Sequence, residues 1–265
     1  MRFFAYIARG AGGFCAALAL VLAPLWATDS TALDPAMFSV PARGDTARIP
    51  GERVSRYLLS STDPAFSLPD TPFQRVTARQ SRGGKMELLL QAGVAGANPP
   101  GAGNVDDTAL LNLDDPAIRA LAARLKGRAD TIDAVERLVH AHITDKRPGI
   151  PIIPAREVAL GRAGDCTEHA VLAVALLRSL GVPARAVVGM VYSESFEGAR
   201  NVFVFHMWAE AHRNARWVLV DPTRPGEKQT NRYVAFSYHH LKTPTPLSYL
   251  RAVAAIKNLS VERKP

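Results

Sequence analysis

Residues Gly161 to Gly181, GRAGDCTEHAVLAVALLRSLG, join a polar loop to an apolar run and set one cysteine, Cys166, at the junction. Asp165 suits an N-cap, and Glu168, three residues on, can bond back to it, so a helix is predicted to start at Cys166. Ala170 to Leu180 is apolar nearly all round apart from Arg178, the composition of a central, buried helix. Gly181 ends the helix and Pro183 prevents its resumption.

Upstream, Asp115 followed by Pro116 opens a helix over AIRALAARLKG that Gly127 closes. A second begins near Asp130 and carries Ile132, Val135, Leu138, Val139 and Ile143 at helical spacing, which gives it one buried face. A short third one, PAREVALG, ends at Gly161. Downstream the texture changes to strands: ARAVVGMVYS, then NVFVFHMWAEAH after the loop SESFEGARN, then RWVLVDPT after the polar turn Arg213-Asn214-Ala215. Helices packed on such an antiparallel sheet make an α+β domain, expected over 106–240.

The remainder reads as three further pieces. Residues 28–105 are rich in Pro and Gly between short segments such as RVSRYLLS and KMELLLQAG, a β-rich or irregular region that ends in the linker GVAGANPPGAGN. Residues 241–265 read as a C-terminal helix and tail. Residues 1–27 have the layout of a secretory signal, with Arg2 and Arg9 ahead of the apolar run Phe14 to Ala27; an uncleaved membrane anchor is the alternative. The expected location is therefore periplasmic or secreted. Cleavage near Ala27 removes Cys15 and leaves Cys166 the only cysteine, a lone thiol in an oxidising compartment.

A thiol at the first helical position is aided toward thiolate by the helix dipole, yet Asp165 and Glu168 oppose that, so an imidazolium partner is wanted. The histidines available are His140, His142, His169, His206, His212, His239 and His240. His206 stands out because it sits in an apolar strand, facing the same way as Trp208 and opposite to Phe205 and Met207. With the turn centred near Asn214, positions whose numbers add to about 427 lie opposite each other, as His206 and Asp221 do. A carboxylate there would fix the imidazole tautomer and hold the imidazolium.

Cys166, His206 and Asp221, in that order on helix, strand and strand, resemble the transglutaminase-like superfamily. GDCTEHAVLAVALLRSLGVPARAVVG and HMWAEAHRNARWVLVDPT carry the resemblance, which covers about residues 110 to 225. It implies a papain-like fold, with Cys166 as nucleophile, His206 as general base and acid, and Asp221 as the residue that orients the histidine. It also implies acyl transfer through a thioester, without cofactor or metal, on peptide or amide substrates of the cell envelope. Hydrolysis is slightly favoured over glutamine crosslinking or an inactive binding module. Well-studied relatives use a tryptophan upstream of the cysteine to stabilise the oxyanion, and no Trp lies between Trp26 and Cys166.

Composition excludes little beyond that. With 48% hydrophobic and 21% charged residues the chain is globular, and removing Arg2 and Arg9 lowers its formal net charge from +8 to +6. The basic residues are scattered rather than gathered in runs, which speaks against nucleic acid and implies at most weak attraction to anionic envelope polymers. A metal site from Cys166, His169, His206 and His212 would have one thiolate among scattered histidines, a weak signal. His169 reads as packing beside the helix, and His239-His240 as an exposed or loop pair.

Overall fold

The computed structural model describes residues 38–44, 49, 53–96, 99–147, 152–256 and 258–265; the signal-like segment 1–27, with Cys15, lies outside them. Five α-helices are present among the described residues: α1 (Pro116–Ala123), α2 (Thr131–His142), α3 (Ala155–Gly161), α4 (Cys166–Ser179) and α5 (Leu247–Ile256). Eleven strands are present among the described residues. They are β1 (Ser39–Gly44), β2 (Ser55–Ser61), β3 (Gln74–Arg82), β4 (Lys85–Ala92), β5 (Asp145–Lys146), β6 (Ala163–Gly164), β7 (Ala184–Phe196), β8 (Ala199–Arg213), β9 (Arg216–Val220), β10 (Tyr233–His239) and β11 (Leu259–Lys264). The mixture is α+β, as the texture of the sequence indicates.

The predicted caps form. Asp115 accepts a hydrogen bond from the Ala117 amide at the start of α1, with Pro116 at the first helical position. At α4, Asp165 accepts from the Thr167 amide at 2.9 Å while the Glu168 carboxylate takes the Asp165 N–H at 3.0 Å, two otherwise orphaned donors satisfied reciprocally. From Ala170 to Leu177 every residue of α4 is fully buried, enclosed by α1, α2 and α3 on one side and β7 and β8 on the other. On α2, Leu138 is only half-buried, whereas Ile132, Val135 and Val139 form the buried face.

One nine-stranded sheet runs β10-β7-β8-β1-β11-β2-β4-β3, with β9 added to the far half of β8, and β5 pairs separately with β6. The hairpin β7–β8 is longer than the sequence suggests. SESFEGARN is not a loop: both strands run through it to a two-residue turn at Glu197 and Gly198, both with positive φ. The C-terminal tail is likewise more than a helix, because β11 pairs parallel to β1 and antiparallel to β2. The stretches 28–105, 106–240 and 241–265 therefore all lend strands to a single sheet.

That sheet curls until its two ends meet. Tyr57, Leu59, Leu88 and Leu90 from β2 and β4 share one core with Met190, Tyr192, Phe203 and Val234 from β7, β8 and β10. At the seam the Gln74 side chain bonds both ways to the Ala235 backbone, Nε2 to O at 2.8 Å and N to Oε1 at 2.7 Å. It ties β3 to β10 beside the point where β10 bulges between Ala235 and Ser237. No helix among the described residues is long and apolar enough to cross a membrane.

Candidate active site

The site lies where the start of α4 abuts the middle of β8. Cys166 is half-buried, packed against the helical core, and its thiol receives the backbone N–H of Met207. Burial pushes the thiol's pKa well up, and the charges of Asp165, Asp221 and Glu168 act in the same direction; only the Met207 amide works against them. Left to itself, Cys166 is a neutral thiol.

His206, the residue before Met207, is nearly buried and donates from Nε2 to Asp221 Oδ2 at 2.7 Å. That leaves Nδ1 free of the carboxylate. The register that joins them is not the one the turn arithmetic gives. Asn214 and Ala215 form a two-residue turn, both at positive φ, so Arg213 faces Arg216 and the ladder ends at Ala209 facing Val220. Extended one step, it sets Asp221 opposite Trp208, which makes His206 a diagonal neighbour on the same face, still within reach of a side-chain hydrogen bond. Gly189 lies opposite His206 on β7; a side chain there would collide with the Val234 carbonyl and the Trp208 ring, so only glycine fits.

Asp221 is fully buried, yet both carboxylate oxygens are satisfied. Oδ2 also accepts from Tyr233 at 2.8 Å, and Oδ1 accepts from the Thr223 hydroxyl at 2.7 Å and amide at 3.1 Å. Burial alone would raise its pKa; the His206 charge and the bonds from His206, Thr223 and Tyr233 outweigh that and hold the carboxyl well below the usual range. The Asp221 backbone is pinned too. Its N–H donates to buried Glu136 of α2 at 2.9 Å, Glu136 is met by Lys228, and His140 Nδ1 donates to the Pro222 carbonyl at 2.8 Å.

Of the other histidines, His169 is buried one turn into α4. Its Nδ1 donates to the Asp165 carbonyl and its Nε2 accepts from Lys146 Nζ at 2.8 Å; burial lowers its pKa to about 4, so the ring stays neutral. His212 packs edge-on to Trp217. The four candidate metal ligands do not converge, and no group of three His, Cys, Asp or Glu side chains among the described residues could hold a metal. The expectation for His239 is corrected: it is buried at the end of β10, accepting from the Leu241 amide, and only His240 is exposed. Sequence reasoning missed Tyr233, Glu136 and Lys146. Their one signal is a polar residue in an otherwise apolar stretch, which Tyr233 in YVAFSY and Glu136 in TIDAVERLV both give.

The match to known families falls on this site. One family model aligns with residues 119–222, from within α1 to the residue after Asp221. That stretch is similar to the transglutaminase-like superfamily. Cys166, His206 and Asp221 all lie in the transglutaminase-like segment, as do α2, α3, α4 and the hairpins of β7, β8 and β9. No curated protein matches the chain in sequence. Among solved structures, a candidate cysteine protease from Cytophaga hutchinsonii aligns over 84% of this chain and 82% of its own, at 14% identity and a TM-score of 0.47. The periplasmic domain of TgpA from Pseudomonas aeruginosa aligns over 75% and 77%, at 17% identity and 0.44. Red sea bream transglutaminase aligns over 73% of this chain and 50% of its own, at 12% identity and 0.32.

Proposed function

We propose that the protein is a cysteine-dependent enzyme that cleaves peptide or amide bonds through a thioester. The observation that carries this reading is the buried His206–Asp221 pair, whose next backbone N–H on β8, that of Met207, meets the Cys166 thiol. In it, Cys166 Sγ attacks the carbonyl carbon, His206 takes the thiol proton and delivers it to the departing amine, and Asp221 fixes the ring and stabilises the imidazolium. Because burial and three carboxylates keep the resting thiol protonated, the proton moves as the carbonyl is attacked rather than beforehand. The amide of Cys166, one of the donors a helix start leaves without an intrahelical partner, faces the developing oxyanion. Water then releases the acyl group. The signal-like segment 1–27 supports a periplasmic or secreted setting and an envelope protein or peptide as substrate.

The test has two parts. Alkylation of Cys166 by iodoacetamide near neutral pH should depend on His206 as the acceptor of the thiol proton, so His206→Ala should slow it at least tenfold, with Cys166→Ala as the blank. A Cys166 indifferent to His206→Ala would sink the catalytic reading. Purified protein should release ammonia and free acid from a glutamine-bearing peptide in the presence of a tagged amine; tagged product in excess would replace hydrolysis by crosslinking.

A further inference from the structure

A basin of about 600 Å³ opens between the turn that follows α1 and one side of α2, at the margin of the helical core. Ala134, Arg137, Leu138 and Ala141 recur on α2 at helical spacing and line it, with Leu125 completing an apolar floor. Four arginines stand around that floor: Arg124, Arg128, Arg137 and Arg162. They are incompletely neutralised. Asp130 pairs with Arg128 through both its oxygens, at 2.8 and 3.0 Å, and with Arg137 at 2.6 Å. The Arg124 guanidinium has no partner among the described residues, and Arg162 spends only Nε, on the His142 carbonyl at 3.1 Å. Four guanidiniums against one carboxylate leave a local charge of about +3.

Arg162 is held here against its own backbone preference. It caps α3 in the left-handed region, at φ 55°, where glycine would be favoured and a side chain costs free energy. Its bond to the His142 carbonyl turns the guanidinium to the basin. The set has the features that recognise phosphate: planar forks able to grip two oxygens each, in excess of the charge needed for structure. The apolar floor suits the body of the ligand rather than its charge.

We propose that this basin binds a phosphate or diphosphate ester whose remaining part is apolar. The site is separate from the Cys166 chemistry and does not depend on it. Full-length protein would be titrated calorimetrically with inorganic phosphate, pyrophosphate and octyl phosphate, and spun with phosphatidylcholine vesicles containing or lacking phosphatidic acid. Octyl phosphate should bind at least tenfold more tightly than inorganic phosphate and weaken with salt. Arg162→Gly, which gives the left-handed position its preferred residue, combined with Arg124→Gln should cost tenfold or more in affinity. Arg119→Gln, an exposed position on α1, and Cys166→Ala should change nothing. Vesicle binding lost in the same double variant would identify a lipid headgroup as the source. Octyl phosphate binding without vesicle binding would identify a soluble ester. No binding of octyl phosphate, or equal binding by wild type and the double variant, would overturn the proposal.

Discussion

At the scale of single residues, the site is a chain of dependencies that ends in one carboxylate. Asp221 is useful to His206 only while it is ionised inside the protein, and its four hydrogen bonds keep it so. Tyr233 is the donor most easily removed, because it shares Oδ2 with the imidazole. Tyr233→Phe should leave the fold intact and weaken the grip on the ring by the net worth of a hydrogen bond to a charged group, at least about 1.4 kcal/mol. The rate of Cys166 alkylation near neutral pH is then expected to fall roughly tenfold. An unchanged rate would show that His206 and Thr223 alone suffice to hold the carboxylate.

At the scale of elements, the position of the thiol is set by how α4 begins. Gly164, in β6, adopts φ 152°, and a Cβ there would come within 2.3 Å of the Glu168 Cβ. The Glu168 side chain is the one that returns to the Asp165 amide, so the glycine and the capping box occupy the same space. Gly164→Ala should therefore displace Glu168, open the cap and cost more than about 1 kcal/mol, from strain and cap loss together. Urea denaturation measures the cost, and thiol alkylation should slow in parallel because Cys166 follows the cap. Loss of stability with unaltered alkylation would separate the thiol's position from the cap.

At the scale of the whole molecule, buried titratable groups make stability depend on pH in opposing senses. Burial holds His169 and His239 near pKa 4, below the ordinary value of about 6.5 for an unfolded chain. Between those values the unfolded chain binds two protons that the folded chain does not, so these groups withdraw stability as pH falls through the window and withdraw none above it. Glu168 works the other way. Burial and Asp165 raise it to about 7, so the folded chain keeps a proton that the unfolded one releases, and stability rises as pH falls from about 7 toward 4.5. A single variant isolates one contribution. His239→Gln should be less stable than wild type at pH 7.5, and the gap should narrow by about 2 to 3 kcal/mol by pH 4.5. A gap that stays constant with pH would mean that His239 takes up its proton as readily in the folded chain as in the unfolded one.

What the sequence determined by itself was local. Asp115-Pro116, Asp165 with Glu168, Gly181 and Pro183 speak through caps and breakers that act within one turn of chain, so the start of α1 and both ends of α4 were legible, whereas α1 stops at Ala123, a turn short of Gly127. The period of two in HMWAEA separated His206 from Met207 correctly, because alternation is a property of any strand. The pairing of His206 with Asp221 was readable only to within two residues, since the register depends on whether Asn214 and Ala215 alone make the turn, and that is a matter of two backbone angles. The role of the tail was not readable at all. LSVERK has no more strand character than many surface segments, and it becomes β11 because β1 and β2 present edges that need a partner between them. Tertiary structure alone likewise gathered Glu136, Tyr233 and Lys228 behind Asp221, and four arginines from three stretches around one basin. Long-range proximity of this kind follows from how the sheet curls and the helices pack, and no spacing along the chain encodes it.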